Sequence, residues 1–272
     1  MSRHTLIHGG CVETMRLLPA ESIDAVVCDP PYELGFMGKK WDSTGVAVDP
    51  ATWREALRVL KPDGYLLAFG GTRTYHRIAV AIEDAGFTLR DCLSWNYGSG
   101  FPKSQNQGEG RGTALKPAWE PVVVARKPLI GTTAANVLAH GTGAMNIDAC
   151  RVATSDRFGG GTKGTSGFAA GYEHDGWVAG SDKGRWPANV IFTHAPECGE
   201  TCAPGCPVAA LDAQSGDTGG ASRFFTVTEY GADDLPGVPF FYSAKASRSE
   251  REAGCGELPA RSGAAAVDRA EG

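Results

Sequence analysis

Apolar and polar positions alternate along the first half of the chain in two distinct periods. The residues Ile23-Asp24-Ala25-Val26-Val27-Cys28 form a short β-branched run that stops at Asp29-Pro30-Pro31. Such a run reads as a buried parallel strand, and proline ends it because it has no N–H to give to a ladder. Before it, Val12, Met15 and Leu18 fit one or two helical turns within 11–18. After it, Trp53, Ala56, Leu57 and Leu60 recur at helical spacing over 52–60. Lys61-Pro62-Asp63-Gly64 predicts a turn, Tyr65 to Phe69 a second buried strand ending at Gly70-Gly71, and 74–85 a helix stopped by Gly86 in a left-handed cap. Further strands are predicted over 87–95 and 121–125. This alternation argues for an α/β fold, an open, mostly parallel sheet whose ligands lie beyond the strand C-termini.

From about Gly131 to Pro239 the periodicity fades. Gly, Thr, Ser and Ala dominate, most densely in GGGTKGTSGFAAGY, and only 189–193 and 239–242 suggest strands. The chain therefore divides into a regular part, 1–130, an irregular glycine-rich part, 131–238, and a return strand and tail, 239–272. Its 37 glycines and 16 prolines agree with long irregular stretches. A net charge of −5 gives no bulk sign of a nucleic-acid binder, so any phosphate contact must come from local groups such as Lys39-Lys40. No stretch approaches the ~20 apolar residues that span a bilayer. The eight cysteines lack the layout of a secreted disulfide framework, so a cytoplasmic location without membrane partners is expected.

Asp29-Pro30-Pro31-Tyr32 carries the most chemistry. The lone pair of an exocyclic amine on a base is delocalised into the ring. A carboxylate and a carbonyl held side by side can accept its two N–H protons and release that lone pair. Asp29 supplies the first and Pro30 the second, and two prolines fix the backbone between them. Tyr32 can stack on a base taken out of a duplex. The alternative is a turn that happens to hold two prolines.

This tetrapeptide, with Leu6 to Cys11 before it, resembles the amino-DNA methyltransferases of the permuted type, in which the catalytic motif comes first. ELGFMGKKWD, LKPDGYLLAFGG, KPAWEPVVVARKP, MNIDACR, RWPANV and FFYSAKASRS extend the resemblance over nearly all of residues 5 to 252. It implies a Rossmann-like methyltransferase fold with a target-recognition insertion at about 131–238, S-adenosylmethionine as cofactor, and double-stranded DNA as partner. Asp at the first motif position goes mainly with adenine N6, and Ser with cytosine N4. The resemblance puts Asp29, Gly9 and Cys11 at the cofactor, and Lys39, Lys40 and Trp41 at the DNA. It also raises a role in restriction-modification.

Two departures stand out. The family often has Asp after the first glycine, where this chain has Gly10, and its C-terminal cofactor motif is not found after residue 250. The expectation is that a C-terminal complementing polypeptide or a second copy completes the site. The rivals are a cytosine-N4 enzyme, a protein or RNA methyltransferase, and a non-catalytic DNA-binding subunit.

His194, Cys198, Cys202 and Cys206 recur every four residues. One His with three Cys is a structural zinc set, and a metal would supply folding energy in a glycine-rich segment. The competing account is a set of unpaired thiols on a loop. Glu120 reads as a strand-edge carboxylate or as a support for the catalytic loop.

Overall fold

The computed structural model describes residue 5 and residues 7–35, 42–100, 104–154 and 184–229. Six strands form one sheet in the order β1-β2-β4-β3-β5-β6. The strands are β1 (Ile23–Cys28), β2 (Leu60–Phe69), β3 (Thr88–Asn96), β4 (Trp119–Arg126), β5 (Val190–Thr193) and β6 (Thr226–Thr228). Pairing is parallel for β1–β2, β3–β5 and β5–β6, and antiparallel where β4 meets β2 and β3. Five strands therefore run one way and β4 alone runs against them. The expected open, mostly parallel α/β sheet is present.

The helices α1 (Cys11–Arg16), α2 (Pro50–Val59) and α3 (Tyr75–Asp84) accompany the first strands. Asp49 caps α2 through Oδ1 to the Ala51 N–H at 2.8 Å, with Pro50 in the first turn, where a missing N–H costs nothing. Gly86 takes the left-handed conformation that the sequence predicts at the end of α3. The Arg58 guanidinium of α2 donates to the Met15 and Leu18 carbonyls at the end of α1, which locks these two helices together.

Residues of β2 and β4 alternate between two cores, as the two-residue period of a strand requires. Leu66, Ala68, Val123 and Ala125 face α2 and α3, where Trp53, Ala56, Ile78, Ala81 and Ile82 meet them. Leu67, Val122 and Val124 face the other side with Tyr65, Phe69 and Leu93. Each large aliphatic side chain buried this way contributes about 1.5–3 kcal/mol.

Two sequence expectations change. The segment Lys61-Pro62-Asp63-Gly64 is not a free turn before a strand: it lies inside β2, as an irregularity where pairing with β1 passes from Leu60 to Tyr65. Asp63 there has a positive φ of 64° and is fully buried. Its carboxylate is held 2.9 Å from Arg126 Nε of β4, an ionic contact rather than an aligned hydrogen bond. Secondly, 131–238 is more regular than its composition suggests. It holds α4 (Thr133–His140) and α5 (Pro207–Ser215), while β5 and β6 continue the sheet beyond β3. Thr142 Oγ1, just past α4, donates to the Pro62 carbonyl at 2.6 Å. The strand expected over 239–242 and the densest glycine tract lie outside the described residues.

Removing one partner of a buried ion pair strands the other without water. Arg126→Met should therefore cost about 3–5 kcal/mol, read as a lower urea midpoint with an unchanged slope. A midpoint within error of the parent chain would show that the pair does not hold the irregular part of β2.

Candidate active site

The backbone leaves β1 at Asp29, and the tetrapeptide occupies the C-terminal end of the sheet. Asp29 is exposed there, while Pro30, Pro31 and Tyr32 are half-buried. Three groups fix Tyr32. Thr74 Oγ1, just before α3, donates to the Tyr32 carbonyl at 2.6 Å. The Tyr32 hydroxyl donates to Glu120 Oε2 at 2.9 Å. Its ring lies against Gly71, where an added Cβ would come within 3.1 Å of Cδ2. Gly71 thus serves close approach of the ring rather than turn geometry.

Glu120 also accepts the Tyr97 hydroxyl, on Oε1 at 3.2 Å. It sits near the start of β4, and because β4 runs against its neighbours, that start lies at the same end of the sheet as Asp29. The carboxylate therefore joins the tetrapeptide to the end of β3. An aromatic series continues from it: Tyr97 packs on Trp95 at 5.1 Å between centroids, and Trp95 meets Phe69 edge-on at 6.0 Å. Trp95 Nε1 donates to Thr193 Oγ1 of β5 at 2.6 Å. Of these groups, the sequence singled out Glu120 without fixing its role, and it gave Thr74, Tyr97 and Gly71 no part in the site. The signal for Glu120 was its place just ahead of the apolar run of β4.

Charge at this end of the sheet favours neutral neighbours. Burial, then the negative charges of Glu120 and Asp29, then hydrogen bonding to both, push the Tyr32 phenol well above the ordinary range. The Cys28 thiol is pushed up to about 12 by burial, then by Asp29 and Cys11. Cys11 opens α1, with Gly10 as its N-cap, so the first turn of α1 and the tetrapeptide lie within electrostatic reach of one thiol. An open groove of about 470 Å³ runs along α1 past Glu13, Arg16, Thr44 and Asp49. Lys39, Lys40 and Trp41 lie outside the described residues. His194, Cys198, Cys202 and Cys206 do come together, at the far end of β5 from Asn189, with one donor atom from each lying within 4.8 Å of the others.

A free phenol ionises near pH 10. Since the folded chain keeps Tyr32 protonated, the stability this residue contributes is intact below that pH. It is lost as pH rises beyond it, because the unfolded chain then releases its proton first. Tyr32→Phe should accordingly lose less stability than the parent chain between about pH 9 and about pH 11, measured as urea midpoints. Identical pH slopes would mean that Tyr32 is not held protonated by its surroundings.

A family model described as DNA methylase matches residues 23–156, from the start of β1 to just beyond the 131–154 stretch. The type II methyltransferase M.HindIII of Haemophilus influenzae is 34% identical over 110 residues, 34% of this chain and 36% of that protein. The chain spans only 33% to 40% of the length of the first curated relatives it matches. Among solved structures, the cytosine-N4-specific PvuII DNA methyltransferase is 21% identical, covering 51% of this chain and 63% of that one, with a TM-score of 0.34. The M1.HpyAVI–SAM complex is 20% identical over 45% of this chain and 52% of that one, with a TM-score of 0.31. Residues 23–156, which carry β1, its tetrapeptide and the central strands of the sheet, match the DNA methylase family of the N6/N4 type.

Proposed function

We propose that this chain is the catalytic part of an S-adenosylmethionine-dependent DNA methyltransferase that acts on the exocyclic N6 amine of adenine. The observation that carries the reading is the placement of Asp29-Pro30-Pro31-Tyr32. An exposed carboxylate stands at a strand C-terminus, and the residues after it are clamped by Thr74, Gly71 and Glu120. Asp29 and the Pro30 carbonyl would accept hydrogen bonds from the two amine N–H groups, drawing the nitrogen towards sp³ and freeing its lone pair from conjugation with the ring. Tyr32 offers its ring to the base while its hydroxyl stays tied to Glu120. A rigid acceptor pair of this kind acts mainly through orientation and preorganised charge.

When bound, S-adenosylmethionine supplies a methyl group on a sulfonium. Asp29 is the carboxylate that such a cofactor would meet, and Gly9, Gly10 and Cys11, at the start of α1, would lie along it, with the Glu13 side chain folded back against Gly10. Residues 131–238 would read the DNA target. Arg151 lies 5.3 Å over the exposed Trp186 ring, and Arg223 lies 4.3 Å over Phe224, pairings suited to phosphates and bases. Asp at the first motif position favours adenine over the alternative, cytosine N4. Among the described residues no helix is long and apolar enough to cross a membrane.

Asp29→Ala should lower radiolabelled methyl incorporation into duplex DNA by about 10²- to 10³-fold while circular dichroism and DNA binding stay unchanged. Unchanged incorporation would refute the acceptor role. Mass spectrometry of the released nucleosides separates N6-methyladenine from N4-methylcytosine, and calorimetry with and without DNA reports whether this chain alone binds the cofactor.

A further inference from the structure

Beyond β5 the chain makes a tight loop and enters α5. Around that loop lies a third small core of Ala195, Cys206 and Val208, with Phe192, Cys198, Ala209 and Val227 packed on it. So few small side chains bury too little apolar surface to fix a loop of this length by themselves. Something else must hold it.

We propose that His194, Cys198, Cys202 and Cys206 bind a structural zinc ion that fastens the β5–α5 unit to the catalytic sheet. The donor geometry carries this. Zinc–sulfur bonds of about 2.3 Å and zinc–nitrogen bonds of about 2.0–2.1 Å around a tetrahedral centre set S···N edges near about 3.6 Å and S···S edges near about 3.8 Å. His194 Nδ1 lies 3.5 Å from Cys202 Sγ and 3.4 Å from Cys206 Sγ, and all four donor atoms fall within 4.8 Å of one another. The set needs to contract by no more than about 1 Å to reach bonding geometry.

Thiol hydrogen bonding explains the cluster less well. A neutral imidazole nitrogen has one lone pair in its ring plane, yet two sulfurs converge on the same Nδ1. A disulfide does not explain it either, since all three cysteines are free. The backbone adds what a bound thiolate needs: the Ala203 N–H donates to Cys198 Sγ at 3.2 Å. Cys206 is the N-cap of α5, where the helix dipole favours negative charge. Three sulfurs and one imidazole form a soft donor set that selects zinc over magnesium or calcium.

The position gives the ion a structural task. His194 directly follows β5, its N–H donates to the Thr228 carbonyl at the end of β6, and Thr193 and Thr228 share a hydroxyl contact at 2.9 Å. On the other side, the loop presses on Gly98, where an added Cβ would lie 2.9 Å from Pro207 and 3.1 Å from the Gly205 carbonyl. Gly98 follows Tyr97, whose hydroxyl rests on Glu120. A metal here therefore holds β5, β6 and α5 in one piece and sets that piece against the end of β3. Its role is independent of methyl-transfer chemistry.

The full 272-residue chain, purified without a histidine tag, should contain one zinc per chain by elemental analysis. Cobalt introduced in its place should give thiolate charge-transfer bands and the visible absorption of a tetrahedral site. Cys202→Ser should reduce both to trace levels. Cys202 is exposed, so serine there costs little packing, and a lowered thermal midpoint in that variant reports the lost ion. Cys92→Ser, an exposed cysteine on β3 outside the cluster, should retain zinc, cobalt spectrum and midpoint. A folded parent chain that contains no zinc and takes up no cobalt would overturn the proposal. So would full zinc content in Cys202→Ser, or a disulfide within the cluster in the purified protein.

Discussion

Two segments at the C-terminal end of the sheet converge on the carboxylate of Glu120. It accepts two phenol hydroxyls, one from the tetrapeptide after β1 and one from the residue just past β3. A side chain can reach both only because β4 runs against the other strands, which brings its N-terminus to the edge where theirs end. Replace that antiparallel strand by a parallel one and residue 120 would sit at the opposite edge. The reversal of one strand is thus what gives the loop after β1 a fixed anchor, and that anchor adds to burial in keeping Tyr32 neutral and in place.

In the proposed mechanism, a mobile acceptor pair would gain little from its chemistry. Asp29 is exposed at the strand end, and the residues C-terminal to it help to set its position. Two prolines remove backbone freedom, Thr74 holds the Tyr32 carbonyl, and Gly71 lets the ring lie close against the end of β2. Thr74, Gly71 and Glu120 hold the proposed site without a chemical role of their own, the usual arrangement where orientation matters more than reactivity.

Much of the catalytic half was legible because its residues obey strand and helix periods strictly. The run 23–28, the helices beginning near Thr52 and Thr74, and the Gly86 stop all carry two signals at once, a period and a terminator. The second half offered its signals singly. α4 has Thr132 as a cap that accepts from the Ala135 N–H, and Gly141 as its stop, while α5 begins at Pro207 and ends at Gly216. Their apolar faces are only Ala, Val and Leu, and the surrounding glycines hid the period. β6 is three residues long and shows no pattern until β5 lies beside it. The role of Glu120 was out of reach for another reason. Strand direction is a property of the whole sheet, and nothing local to KPAWEP says which way it will run. Asp63 misled for the opposite reason: Lys-Pro-Asp-Gly has strong turn chemistry, and here that turn is absorbed as an irregularity inside a strand.

The order β1-β2-β4-β3 has a consequence for how the protein is made. β4 lies between β2 and β3 but is the last of these four strands to leave the ribosome. Until then β2, the most deeply buried of these four strands, has one edge covered by β1 and the other bare, and β3 has no partner from the first half of the chain. Bare apolar edges recruit other chains as readily as their own. Synthesis speed between residues 70 and 126 therefore sets how long the nascent chain is sticky, and a stalled ribosome there leaves a species prone to coaggregate with its neighbours on the same message.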